Sequence, residues 1–280
     1  MLYDNGYTFQ ISKFTQLGNS LVQLCNAINV GIQKKSKILM PKIGTCNDAF
    51  DLLKDIPNLD FRKGIDCGKT LESKFFFSSE CFDYLMTNRE RREILQNYIF
   101  PHLKLVDSDS VSDDTLVIHI RSGDIFGGWT HKNYAQPPLS YYKKIIEEEK
   151  PSDVLIITQP DKRNPCIKKL LSWDSNIKVQ CGTLREDVSA ILKARKLVIG
   201  FGTFGWMLSM LSGRIHNLYC PTVCTDLFDS FYHVSPFHIK RYDFENYIKM
   251  GNWENTECQR EMMISHPIEK IGEHYVNEYQ

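Results

Sequence analysis

The sequence predicts an α/β protein made of two doubly wound domains, and three observations predict it. From residue 115 onward, short apolar runs alternate with amphipathic stretches of about ten residues, the order that gives parallel strands joined by helical crossovers. Ahead of residue 41, a helical repeat leads straight into a short strand closed by Pro41, a loop–helix–strand unit of the same kind. Between the two lies the polar run Asp107-Ser-Asp-Ser-Val-Ser-Asp-Asp114, which reads as a linker. A chain of 280 residues can bury two small cores that share a cleft. The expected division is 1–113, 114–235, and a tail over 236–280 that packs back on the N-terminal half as a crossing helix.

In the first half, apolar residues at 21, 24, 28 and 32 give helical spacing, with Gly18-Asn19 where that helix starts and Asn or Ser able to cap its free N–H groups. Lys37-Ile-Leu-Met-Pro41 is the strand, and a second helix covers Thr87 to Tyr98. The second half is more regular. Thr115-Leu-Val-Ile-His-Ile-Arg121 is nearly continuous in apolar residues, as a strand buried on both faces must be. A helix over 141–149, a strand over 153–158, a helix over 166–172 and a strand over 177–180 follow. Next come a helix over 185–194 with Val188, Ile191 and Leu192 on one face, a strand over 196–200, and a Gly-rich turn running into a helix over 202–212.

Composition removes several functions. Lys+Arg and Asp+Glu are both 34, and a chain without basic excess is a poor general partner for nucleic acid. No window reaches the ~20 apolar residues of a membrane span. Met1 to Gln10 has no basic start followed by an apolar stretch, so neither a secretory signal nor an anchor is expected, and the expected location is the cytoplasm. The nine Cys are scattered and lack CxxC pairs, which reads as free thiols. Cys220 and Cys224 lack a second pair to complete a zinc site. Asp107-Ser-Asp109 has the spacing of a metal-holding Asp-x-Asp motif but precedes a strand instead of following one. No metal or other cofactor is expected.

Ligands of such sheets sit beyond the carboxyl ends of strands, and three of those ends carry chemistry. At the first, His119-Ile-Arg-Ser-Gly-Asp124, the Arg121 guanidinium suits paired hydrogen bonds to a diphosphate. Gly123 permits a sharp turn, and Asp124 can orient Arg121 or take a proton from an acceptor hydroxyl. His119 shares a face with Arg121 and is more simply a core histidine. The second end, Thr158-Gln-Pro-Asp161, offers Asp161 for a ribose or base contact. The third, Gly200-Phe-Gly-Thr-Phe-Gly205, runs into a helix, where Gly202, Thr203 and Phe204 can present N–H groups to an anion. Asp187, on the preceding helix, either contacts a ribose or base or favours its own helix N-terminus. The spacing Gly200-x-Gly202-x-x-Gly205 lies too late in the domain, without the later acid, to be a nicotinamide fingerprint.

These residues resemble a family. His119-x-Arg121-x-Gly123-Asp124 is similar to the donor-site motif of the α-1,2-fucosyltransferases and their wider fucosyltransferase-like superfamily. Leu17-Gly-Asn-Ser-Leu-Val-Gln23 is similar to the family's Gly-Asn-Gln loop and helix. Phe77-Ser-Ser-Glu-Cys-Phe82 resembles its aromatic-Gln-Ser-Glu segment, and Arg185-Glu-Asp187 through Gly202-Thr-Phe204 its acidic helix and Ser/Thr-Phe turn. The four lie in the family's order. The resemblance implies the GT-B fold, two Rossmann-like domains facing across a cleft, with inverting, metal-independent transfer from a nucleotide-sugar donor to a glycan acceptor. It implies Arg121, Ser122, Gly123, Asp161, Asp187, Gly202, Thr203 and Phe204 on the donor and Gly18 and Asn19 on the acceptor side. The general base is Asp124 or else Glu80. Ser122 stands where the family carries a second basic residue that helps hold guanosine diphosphate. The chain also resembles the small glycosyltransferases of large algal viruses that act on capsid glycans, which implies UDP-xylose as donor, a fucose as acceptor and a β-linkage. GDP-fucose transfer and a catalytically inactive glycan-binding module are the competing readings.

Overall fold

The computed structural model describes residues 7–42, 48–62, 69–72, 86–107, 110–128, 130–222 and 238–275. It divides into two compact units, Met1–Leu105 and Val106–Gln280, each mixed α/β.

In the first unit, β1 (Thr8–Gln10) lies between β2 (Lys37–Leu39) and β4 (Thr70–Glu72) and runs parallel to both, while β3 (Leu59–Asp60) pairs antiparallel with β2. The helix α1 spans Leu17–Gln33. Leu21, Leu24 and Ile28 are fully buried as their spacing predicts, but Ile32, at the end of the stripe, is 40% exposed. The cap differs from expectation. Gln16 is the N-cap and offers no side-chain bond, so Gly18 and Asn19 already lie inside the first turn. Ser20 Oγ instead reaches back to accept from the amide of Thr15 at 2.9 Å. α2 covers Asp48–Leu53 and α3 Asn88–Ile94. α3 opens with a reciprocal box in which Thr87 and Glu90 each satisfy the other's backbone N–H, two otherwise orphaned donors.

The second unit holds a seven-stranded sheet in the order β11-β10-β9-β8-β5-β6-β7. Its strands are β5 (Leu116–His119), β6 (Val154–Ile157), β7 (Ile177–Gln180), β8 (Lys196–Val198), β9 (Asn217–Pro221), β10 (His238–Phe244) and β11 (Ile271–Tyr275). All adjacent pairs are parallel except β10–β11. The crossovers carry α4 (Leu139–Glu149), α5 (Pro165–Trp173), α6 (Leu184–Lys193) and α7 (Thr203–Leu211), and α8 (Glu257–Ser265) packs on α4 and α5. β5 and β6 are buried at every position, so each of their Val, Leu and Ile side chains contributes roughly 1.5–3 kcal/mol of transfer free energy.

In the run 107–114, Asp113 and Asp114 are tied to the second unit. Asp113 pairs with Arg195 and Arg214, and Asp114 pairs with Lys196 and accepts from the amide of Ser152. The two compact units divide between Leu105 and Val106, where the sequence expectation was 113/114. In the tail expected to cross back to the N-terminal half, β10 and β11 extend the second sheet, β10 satisfying backbone groups that β9 leaves open and β11 those of β10. Among the described residues, no helix is long and apolar enough to cross a membrane.

Candidate functional site

The strand order sets the site. From β5 the chain steps outward through β6 and β7, then returns to the other side of β5 with β8 and continues through β9 and β10. Order reverses between β5 and β8. At such a reversal in a doubly wound sheet, crossovers leave on opposite faces and ligands sit beyond the carboxyl ends of the two strands. Two of the three chemically loaded ends flank this point.

Beyond β5, Arg121 is largely buried, its side chain 13% exposed. Its Nη2 donates to both oxygens of Asp124, at 3.2 and 3.3 Å, and its Cζ lies 4.3 Å from the centroid of the Tyr134 ring. Nε is buried with no hydrogen-bond partner among the described residues. Beyond β8, Gly202 adopts φ +122° and is the N-cap of α7, with no side chain capping the helix. The two ends meet: a Cβ placed on Gly202 would stand 3.3 Å from Arg121 Nη1. A guanidinium and the positive end of a helix thus face one small volume, an arrangement suited to an anion with more than one charge.

Behind them, the His119 ring lies 4.8 Å from that of Phe204. Burial, then the charge of Arg121, lowers the His119 pKa from 6.5 to about 3. A neutral imidazole of such weak basicity packs against α7 and is no general base. The Phe204 side chain is likewise a packing group, so only its backbone is suited to an anion.

Ser122 and Asp161 brace the site. Ser122 is fully buried. Its hydroxyl donates to Asp161 Oδ1 at 2.8 Å and accepts from the amide of Asn164 at 3.1 Å. Asp161 Oδ1 also accepts from the amide of Gly123 at 3.1 Å, and its Oδ2 meets Arg163 at 3.2 Å. Gly123 holds φ +69°, a left-handed conformation that glycine adopts without the Cβ penalty. Gln159 accepts from the amide of Ser122 at 2.6 Å, and Asn164 Nδ2 donates to the carbonyl of Arg121 at 3.0 Å. The loops after β5 and β6 are therefore stitched together beneath Arg121.

Asp187 lies in the first turn of α6. It accepts from Gln180 Nε2 at 2.9 Å and from the amide of Gly182 at 3.2 Å, and burial raises its pKa. Gln180 and Gly182 line, with Cys181, Glu186, Val106 and Asp107, a pocket of roughly 400 Å³ beyond β7, within the size range of small-molecule sites. Gly18 and Asn19 lie on α1 of the first unit. Glu80 and the 75–82 aromatic run lie outside the described residues.

Sequence reasoning missed Tyr134, Gln159 and Asn164. All three are loop residues that act through distant partners, and no periodicity marks them. Asn164 alone carried a local signal, since Asn-Pro before an apolar run marks a helix start.

No protein-family model and no curated protein sequence matches the chain. Solved structures do. The iron-containing dodecameric glycosyltransferase TibC from enterotoxigenic E. coli is 13% identical, covering 96% of this chain and 75% of its own, with a TM-score of 0.48. E. coli ADP-heptose LPS heptosyltransferase II is 10% identical, covering 79% and 86%, with a TM-score of 0.41. POFUT1 in complex with GDP is 9% identical, covering 77% and 98%, with a TM-score of 0.40.

Proposed function

We propose that the chain is a glycosyltransferase of the GT-B kind that binds a nucleotide-sugar donor in its second unit. The observation that carries this reading is the convergence of Arg121 Nη1 on the Gly202 corner where the strand order reverses. Transfer of a glycosyl group breaks the bond between the anomeric carbon and the diphosphate, and negative charge grows on the departing phosphate. Arg121 and the first turn of α7 are placed to stabilise that charge without reorganising. The nucleoside extends from there over the joined β5 and β6 loops toward the pocket beyond β7, where Gln180 supplies a polar contact and Asp187 braces it from behind.

Inversion at the sugar carbon requires a base for the acceptor proton. Asp124 is the described candidate: its carboxylate is 57% exposed and comes free when a diphosphate takes its place on Arg121. Glu80 is the other. With guanidinium and helix end supplying positive charge, the proposed reaction needs no metal, and EDTA is expected to leave turnover unchanged; loss of turnover in EDTA would overturn this.

The donor proposed is UDP-xylose, with a fucose-bearing glycan as acceptor; GDP-fucose is the rival. Support comes from position 122, where the side chain turns inward to Asp161 and supplies no second cation. That same missing cation favours a glycan-binding module as the alternative.

The test is a thermal-shift and turnover series with UDP, GDP and their sugars. A ligand present at about 100 times its Kd adds about 2.7 kcal/mol to stability, so the true donor class raises Tm by several degrees. UDP-xylose consumption in the presence of a fucosylated acceptor supports the reading in full. Glycan binding with every donor left intact selects the module.

A further inference from the structure

What aims the Arg121 guanidinium at α7 is visible in the crossover between β5 and α4. Its contact with Asp124 joins it to a carboxylate that is more than half exposed, and an ion pair open to water holds an orientation weakly. Its Nε has no partner among the described residues. A further contact is to a ring: Cζ stands 4.3 Å from the centroid of Tyr134. A planar cation on an aromatic face is held as a plane, not by one N–H, so stacking sets the direction in which both Nη groups point.

The ring is itself braced. The amide of Tyr134 donates to the carbonyl of His131 at 2.9 Å, and the two rings lie 5.1 Å apart. Its carbonyl accepts from Nε2 of the fully buried Gln136 at 3.1 Å. Gln136 stands against the end of β8, its Oε1 3.1 Å from where a Cβ on Gly200 would sit, and its carbonyl accepts from the hydroxyl of Tyr247 at 2.8 Å. Through Gln136, Tyr134 is thereby set beside the corner from which α7 springs.

We infer that Tyr134 is a positioning residue that holds the Arg121 guanidinium plane toward the diphosphate, so that its ring face sets affinity for the phosphates and not for the nucleoside. This deepens the donor-site reading and rests on it.

The experiment is calorimetric titration of the whole chain with UDP and GDP, then of Tyr134→Leu and Tyr134→Phe with whichever binds and with the matching nucleoside. Loss of the ring is expected to raise the Kd for the nucleoside diphosphate about tenfold, with nucleoside affinity within about twofold and Phe restoring affinity to within about threefold. Tyr134→Gln, also ringless, carries the same expectation should the Leu variant fail to fold. Equal losses for diphosphate and nucleoside, an unchanged diphosphate affinity, failure of Phe to restore it, or unfolding of both ringless variants overturns the inference and leaves the donor site standing. Wild-type protein that binds neither UDP nor GDP removes the donor-site reading itself, and this inference with it.

Discussion

At the scale of single residues, Arg121, Gly202 and His119 make separable predictions. Arg121→Ala removes the guanidinium from the switch point, and loss of one preorganised charge-stabilising donor costs roughly 100- to 1,000-fold in kcat. Its Tm is expected to stay within a few degrees of wild type, because the loop beneath is held by Ser122, Asp161 and Asn164. Turnover that survives the change removes Arg121 from the phosphate role. Gly202→Ala asks an L-residue to hold φ +122° with a Cβ 3.3 Å from Nη1; strained positions of this kind cost about 1–3 kcal/mol. Donor affinity and Tm are expected to drop together, and an unchanged Tm would show that the corner relaxes. His119, lowered to about 3 in the fold, is neutral where an unfolded histidine of ordinary pKa is already protonated. Its contribution to stability is complete above about pH 6.5 and is lost as pH falls from there toward 3. His119→Asn should flatten that part of the Tm–pH curve; an identical slope in the variant rejects the assignment. The sequence singled out Arg121, Gly202 and Asp124 because their residue types are unusual at strand ends. It could not show that Ser122 and Asp161 face each other, a contact between loops 39 residues apart.

At the scale of elements, the helix starts hold the chemistry in place. α6 opens with Thr183 accepting from the amide of Glu186 and Glu186 accepting from the amide of Thr183, and those bonds lower the Glu186 pKa. This box seats the turn that carries Asp187 and one wall of the pocket. Thr183→Ala is expected to cost about 1 kcal/mol, a Tm loss of about 2–4 °C for a unit of this size. It should also weaken nucleoside binding while sparing inorganic pyrophosphate. Equal losses for both ligands would place the pocket outside the donor site. Most helices and strands of the second unit were legible to within a few residues, because strands buried on both faces and helices buried on one leave different periods in a sequence. β10 was not. His238-Ile-Lys-Arg-Tyr-Asp-Phe244 reads as a polar segment, and only its partners make it a strand: Lys240 meets Glu148 at 2.6 Å and Glu273 at 2.8 Å.

At the scale of the whole molecule, those partners form a network with a pH signature. Lys144 and Lys240 contact Glu148 and Glu273 across α4, β10 and β11. Burial pushes the Glu273 carboxyl up, but hydrogen bonds from Lys144 and Lys240 outweigh it and hold the pKa at about 2. A carboxylate lowered in this way stabilises the fold above its ordinary pKa of about 4.5, and that stability disappears as pH falls toward 2. Glu273→Gln is expected to lower Tm at pH 7 and to bring variant and wild type closer together at pH 3. A Tm gap that stays constant from pH 7 to 3 would rule the network out as the cause.

The sequence by itself determined the α/β class, the elements on either side of the site and the residue types at the three loaded strand ends, because each depends on spacing within one short segment. Tertiary structure decided the strand order, the pairing of Asp113 and Asp114, the place of β10 and β11 on the second sheet, and the meeting of Arg121 with Gly202 over Tyr134. Those depend on pairings between segments far apart in the chain, where the free energy lies in contacts that no local period records.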